Sequence, residues 1–324
     1  MTPSVSVIVP VRNRHALLRR LLDALAVQTY TDFEVLVVDD GSSDGTLQEA
    51  TAERNPSLAI RCLRNDGAGA SAGRNTGAAA ARAEVLAFTD SDCVPAAGWL
   101  AAGMVAIEDG ADLVNGVTRP RRPVGLLERT VRSGKEGLYP TCNVFYRRAA
   151  FEKAGGFDSD AWRRLGFGEG SRSRGSGVGE DTLLAWAVRR NGRAVFEPTA
   201  VVEHEVSRPA LLDAVRHTTW VRAFPSLVRE VPELRSMPLL RQRLFLGDQS
   251  RAPIYVLAAA VAARRHRVAT AAALTWLAMQ APAVARAPGP VHRKLVAVPG
   301  RFVLDSVAAS ALVVGSVRAR RVVL

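Results

Sequence analysis

Along the first ninety residues the spacing of apolar positions changes repeatedly, and each change marks a new element. Residues 5–11 (VSVIVPV) are a β-branched run that reads as a buried strand. Between 14 and 28, Leu17, Leu18, Leu21, Leu22 and Leu25 recur at helical spacing and predict an amphipathic helix. Residues 33–38 form a second apolar strand, followed by a Gly/Ser/Asp turn and a helix over 46–55. A third strand over 58–63, an Ala-rich helix over 71–82 and a fourth strand over 84–89 continue the series. Strands alternating with helices through short links predict parallel strands covered by helices, the doubly wound α/β class. In such sheets the loops at the carboxyl ends of the strands form the ligand-binding edge.

From about residue 115 the periodicity weakens. Residues 119–123 (RPRRP) read as a basic loop, and 163–179 (RRLGFGEGSRSRGSGVG) as a mobile loop without periodicity. A helix is predicted from Asp181, then strands near 194–196 and 200–206. Beyond 207 the chain turns Ala/Leu/Val-rich and helical, punctuated by Arg clusters and prolines. The predicted division is therefore 1–206 and 207–324.

Charge sharpens that division. The 324 residues carry 43 Lys and Arg, all but three of them Arg, against 31 Asp and Glu. Residues 1–206 hold 25 basic and 26 acidic side chains, whereas 207–324 hold 18 and 5. A nucleic-acid or membrane partner is thus a question for the tail and not for the first region. The tail has little aromatic interleaving and no nucleic-acid motif, which predicts no nucleic-acid partner. Of its apolar stretches, 252–263 and 308–317 are too short to span a bilayer, and 268–285 is interrupted by Gln280 and Pro282. Apolar helices interleaved with arginines suit the interface of an anionic inner leaflet. The same pattern equally suits helices packed on the rest of the chain with their arginines solvated. Three cysteines (62, 93, 142) without C-x-x-C spacing signal neither a disulfide framework nor a zinc site. The opening residues MTPSVSVIVP lack signal-peptide features, so the first region is expected in the cytoplasm.

Two acidic clusters end apolar strands: Asp39-Asp40-Gly41-Ser42 and Asp90-Ser91-Asp92. Asp-x-Asp at a strand end lets two hard oxygen ligands converge on Mg²⁺ or Mn²⁺, which in turn grips a diphosphate. Helix and turn capping is the plainer use of the same residues. Gly179-Glu180-Asp181-Thr182 opens a helix, where a carboxylate serves as a cap or as a general base beside a closing loop. Gly69-Ala70-Ser71-Ala72-Gly73 matches G-x-S-x-G, and with Asp181 and His204 it offers a serine hydrolase as the alternative. Against it, residues 65–68 separate the strand from Ser71, where a nucleophile elbow needs none. A dinucleotide fold would want glycines after the first strand, where this chain has Pro10-Val11-Arg12-Asn13-Arg14. His204, alone between Glu203 and Glu205, is by itself a structural histidine.

In order and spacing these pieces resemble the inverting family-2 glycosyltransferases with the GT-A-type fold. The resemblance covers roughly residues 4–206. It rests on Ser6-Val7-Ile8-Val9-Pro10-Val11-Arg12-Asn13, Val37-Val38-Asp39-Asp40-Gly41-Ser42-Ser43-Asp44-Gly45-Thr46, Gly73-Arg74-Asn75-Thr76-Gly77 and Phe88-Thr89-Asp90-Ser91-Asp92. Cys142-Asn143-Val144-Phe145-Tyr146-Arg147-Arg148, Gly155-Gly156-Phe157-Asp158 and Gly179-Glu180-Asp181-Thr182 complete it. The resemblance implies a doubly wound mixed sheet flanked by helices, forming a nucleotide-sugar-binding catalytic domain, with a basic helical extension after it. It implies a nucleobase pocket lined by Pro10, Arg12 and Asp40, with Arg74 approaching the nucleotide. Asp90 would engage the ribose, Asp92 and His204 a divalent metal (Mn²⁺ or Mg²⁺), and Asp181 would be the base. Asn143 and Glu180 fall on the acceptor side. Implied partners are a nucleoside-diphosphate sugar and a glycan, lipid-linked or small-molecule acceptor. The implied location is cytoplasmic, peripheral on the inner face of the cell membrane. The chain departs from the family at Leu183, where many relatives carry another Asp, and in the long loop before Glu180. Both departures bear on the acceptor side.

Overall fold

Every residue of β1 (Val5–Val11) is buried, because both faces of the strand are covered. Val5, Val7, Val9 and Val11 share a core with Leu18, Leu21, Leu22 and Leu25 of α1 (His15–Ala26). Next come β2 (Phe33–Asp39), α2 (Thr46–Glu49), β3 (Ile60–Arg64), α3 (Ala70–Ala80) and β4 (Val85–Phe88). On the other face, α3 lies so close to β1 that a Cβ on Gly77 would come within 2.5 Å of Ile8 Cγ2. Small side chains therefore set the distance from this helix to the sheet. After β4 run β5 (Cys93–Pro95), α4 (Trp99–Glu108), β6 (Leu113–Pro120), β7 (Val144–Arg147), α5 (Arg148–Lys153), α6 (Ala161–Arg164), α7 (Glu180–Asn191) and β8 (Ala194–His204).

The computed structural model describes residues 2–50, 56–65, 69–166, 179–246 and 251–324. One sheet holds eight strands in the order β3-β2-β1-β4-β7-β6-β8-β5. The first four are parallel, and β7 runs antiparallel to β4 and β6. β8 is parallel to β6 and antiparallel to β5. The mixed, helix-flanked α/β sheet is the one expected. Two details differ from the sequence reading. The helix expected over 46–55 is only Thr46–Glu49 where it is described, residues 51–55 lying outside the described residues. The two late strands are one, β8, with a break in register: Gly116 pairs Glu197 while Val117 pairs Val201. Pro198 cannot donate to a ladder, which explains a bulge there. Asn143 fills the gap, its Nδ2 donating to Val117 O and Ala200 O at 2.9 Å each.

The chain forms two compact units. The sheet unit draws on residues within 1–121, 131–164 and 168–205, the second on those within 122–130, 165–167 and 206–324. The second contains α8 (Leu211–Thr218), α9 (Phe224–Glu230), the short hairpin β9 (Leu240–Arg241) and β10 (Phe245–Leu246), α10 (Ala252–Ala262), α11 (His266–Arg286) and α12 (Val291–Ala319). Trp276 of α11 packs edge-on against Phe302 of α12 and donates its indole N–H to Asp305 at 3.2 Å. The apolar stretch 308–317, too short when read alone, belongs to a 29-residue helix that continues through Pro299. By length and composition, α11 and α12 are both able to cross a membrane. Much of their apolar surface is open, including Leu274 (61% exposed), Val296 (79%) and Val317 (74%).

Candidate active site

The carboxyl ends of β1 and β2 set the first part of the site. Asp40 follows β2, its N–H donating to Val11 O at 2.9 Å. Its buried carboxylate accepts from Asn65 Nδ2 (2.6 Å) and from the Gly69 N–H (3.0 Å). The other oxygen faces the exposed Arg12 guanidinium at 3.6 Å. Pro10 is buried near the end of β1, so Pro10, Arg12 and Asp40 gather on one edge. Asp39 instead accepts the Ser42 N–H and shapes the turn. Asn65, which anchors Asp40, was passed over in the sequence. Its position at the carboxyl end of β3, on this same edge, is the signal that marks it.

A continuous line of charge crosses the rest of the site. Arg74, projecting from α3, is almost wholly buried (5% exposed). It donates to Asp90 at 2.7 Å, lies 3.7 Å from Glu180, and covers the Phe157 ring at 5.8 Å. Burial opposes its charge, but Asp90 and then Glu180 outweigh it and hold its pKa above the ordinary value. Ser71 also donates to Glu180, at 3.1 Å. Beyond Asp90, Asp92 sits 3.4 Å from His204 Nε2, because β5 pairs Cys93 directly with His204. The other ring nitrogen, Nδ1, meets Glu205 O at 2.8 Å. Burial, then the charge of Asp90, raises the Asp92 pKa against the pull of His204.

Asp92, Cys93 and His204 bring their ligand atoms within 4.8 Å of one another. Burial pushes the Cys93 thiol far up, which keeps it protonated and leaves carboxylate and imidazole as the usable pair. A hard oxygen and one imidazole suit Mn²⁺ or Mg²⁺, with positions left for diphosphate oxygens.

Asp181 lies in the first turn of α7, and burial and then the neighbouring Glu180 raise its pKa to about 8. Its Oδ1 accepts the Thr182 N–H at 2.7 Å, which pulls the other way. A carboxyl that exchanges its proton near neutral pH is suited to general-base work. The Tyr146 hydroxyl, buried without a hydrogen-bond partner, feels the charge of Asp181. In the sequence it is one aromatic position of an apolar motif, and nothing there marks its hydroxyl as facing Asp181.

The two acceptor-side expectations look different in the fold. Asn143 is fully buried: Oδ1 accepts from Trp99 Nε1 at 2.9 Å and Nδ2 bridges the bulge. It shapes the sheet and has no open edge for an acceptor. Glu180 is likewise buried, holding Ser71 and Arg74. The serine hydrolase alternative is not supported, since Ser71 is directed to Glu180 while His204 is engaged by Asp92 and Glu205. Residues 66–68 of the segment between the third strand and Ser71, and residues 167–178 of the expected mobile loop, lie outside the described residues.

Residues 6–157 match the family described as Glycosyl transferase family 2. Over this stretch the chain belongs to the family-2 glycosyltransferases. Glycosyltransferase AglE of Haloferax volcanii is 36% identical over 173 residues, 48% of this chain and 56% of AglE. Mannosyltransferase PcManGT from Pyrobaculum calidifontis, solved with GDP-Man and Mn²⁺, superposes with a TM-score of 0.57 at 22% identity. That match covers 99% of this chain and 88% of PcManGT. TarS 1–349 of S. aureus, solved with UDP-GlcNAc, gives 0.51 at 16% identity over 98% and 92% of the two chains. At such identities the likeness establishes the shared GT-A glycosyltransferase fold. The chain spans about half the length, or less, of the curated relatives it matches.

Proposed function

We propose that this chain is an inverting, metal-dependent glycosyltransferase. It would move a hexosyl or related sugar from a nucleoside-diphosphate sugar to an acceptor hydroxyl, in the synthesis of a cell-envelope glycan, glycolipid or other glycoconjugate. The observation that supports this reading is the line of neighbouring charges Asp181–Glu180–Arg74–Asp90–Asp92–His204, which runs from the carboxyl with the raised pKa to the Asp92–His204 pair.

Asp40, fixed by Asn65 and Gly69, would hold the nucleobase with Pro10 and Arg12. Asp90, paired with Arg74, would take the ribose. Asp92 and His204 would hold the divalent ion, which supplies charge neutralisation for the departing diphosphate. Asp181 removes the proton of the acceptor hydroxyl as that oxygen bonds to the anomeric carbon. The bond from that carbon to the diphosphate oxygen breaks on the opposite face, so configuration inverts. Asp92→Ala and Asp181→Ala are each expected to abolish nucleoside-diphosphate release, with only Asp92→Ala weakening metal-dependent donor binding. Near-normal transfer in both variants overturns the assignment.

We infer further that the second unit attaches peripherally to the inner face of the cell membrane. Support comes from the open apolar surface of α11 and α12 beside Arg264, Arg265, Arg267 and Arg293. The acceptor would then be lipid-linked or membrane-proximal.

A further inference from the structure

Within the second unit, a cleft of about 240 Å³ is lined by Arg129, His217, Arg251 and Arg301, with Glu128 and Asp305 as its only acids among the described residues. Both acids are already engaged. Glu128 takes two bonds from Arg122 (2.7 and 3.1 Å) and one from the Gly125 N–H (2.7 Å). Asp305 faces Arg301 Nε and Trp276 Nε1, each at 3.2 Å. Arg129 has no carboxylate within ion-pair distance among the described residues, although burial already weakens the hold on its proton. His217 Nδ1 is buried without a hydrogen-bond partner, and burial, then the charge of Arg129, lowers its pKa against the pull of Asp213. The Arg129 side chain and His217 Nδ1 thus stand without an acceptor among the described residues, in a space large enough for a tetrahedral anion. An adjoining cleft shares Leu126–Glu128 and adds Arg208, His292, Arg293 and Lys294.

We propose that the Arg129–His217 cleft is a binding site for a phosphate group, borne by an anionic lipid headgroup or by a soluble phosphate compound. Guanidinium and imidazole donors match the acceptor oxygens of phosphate, and such charge-assisted bonds are the strong ones. The lipid source rests on the membrane reading above; the phosphate chemistry does not. Arg129→Ala is a clean probe, because its side chain makes no hydrogen bond or ion pair among the described residues whose loss would unfold the unit.

The full chain, labelled at histidine, is titrated with inorganic phosphate, with phosphatidylglycerol vesicles and with phosphatidylcholine vesicles. The variants are Arg129→Ala, Arg129→Lys and, as a surface control, Arg82→Ala on the sheet unit, each checked by thermal melt. The site predicts that phosphate or phosphatidylglycerol, and not phosphatidylcholine, shifts the His217 ring resonances. It predicts affinity about tenfold weaker in Arg129→Ala, with partial retention in Arg129→Lys and none of this loss in Arg82→Ala. A response to vesicles marks the lipid source, and a response to phosphate alone marks the soluble one. If neither probe moves His217, the site is overturned. It is equally overturned if Arg129→Ala binds both phosphate and phosphatidylglycerol vesicles as tightly as the unaltered chain, whereas unchanged vesicle binding alone excludes the lipid source and leaves membrane attachment standing.

Discussion

Asp181 carries the sharpest consequences at the scale of single residues. A carboxyl whose folded pKa is raised from 3.8 to about 8 is protonated in the native state over a range where the unfolded chain has already lost that proton. Stability contributed by this position therefore falls as pH rises from 3.8 to about 8 and is level above. Asp181→Asn removes that cost, so its melting temperature should exceed the parent's increasingly across this window and by a constant margin above it. The same substitution should lower the transfer rate about 10²–10⁴-fold. For the parent, kcat/KM should climb with pH towards a plateau above about 8, as the base loses its proton. A flat profile there would mean that another group takes the proton. Arg74 behaves oppositely: Arg74→Ala strands Asp90 and Glu180 beside a buried gap. Urea unfolding should show a loss of about 3–5 kcal/mol. Asp40, Asp90, Asp92 and Asp181 were readable in the sequence because each falls at a strand end or a helix start. Asn65 and Tyr146 were not, since their partners are brought to them only by the fold.

At the scale of elements, the β6–β8 bulge decides where His204 lands. Residues 198–200 drop out of the ladder, and only with that offset does β8 run on to pair His204 with Cys93 beside Asp92. Asn143 holds the break from β7's approach, and Gly116 leaves it room: a Cβ there would meet Ala200 O at 2.1 Å. Asn143→Ala leaves the Trp99 indole and two carbonyls unpaired, with an expected cost of about 2–4 kcal/mol in chemical unfolding. A cost near zero would mean that the sheet keeps its register without the amide. The alternation of strands and helices was legible from apolar period up to β4, where each element is local. The bulge was not, because Pro198 splits one strand into two apparent ones and only the pairing with β6 rejoins them. Likewise α12 read as fragments, since Pro299 and Arg301 interrupt its apolar pattern without ending the helix.

For the whole molecule, the charge division separates chemistry from location. The sheet unit carries the acidic line, whereas all of the net positive charge belongs to residues 207–324. Attachment through that region should weaken steeply as salt rises, because arginines at an anionic surface are screened within a Debye length. Vesicle sedimentation across a salt series checks this, and salt-independent binding would point to apolar insertion alone. Metal-dependent sugar transfer is read out by nucleoside-diphosphate release from a panel of sugar nucleotides, with and without Mn²⁺, for the parent chain, Asp92→Ala and Asp181→Asn. Metal-dependent release from at least one donor is predicted, lost in both variants, with metal-dependent donor binding retained in Asp181→Asn alone. Release that persists in both variants, or that ignores the metal, would contradict the account.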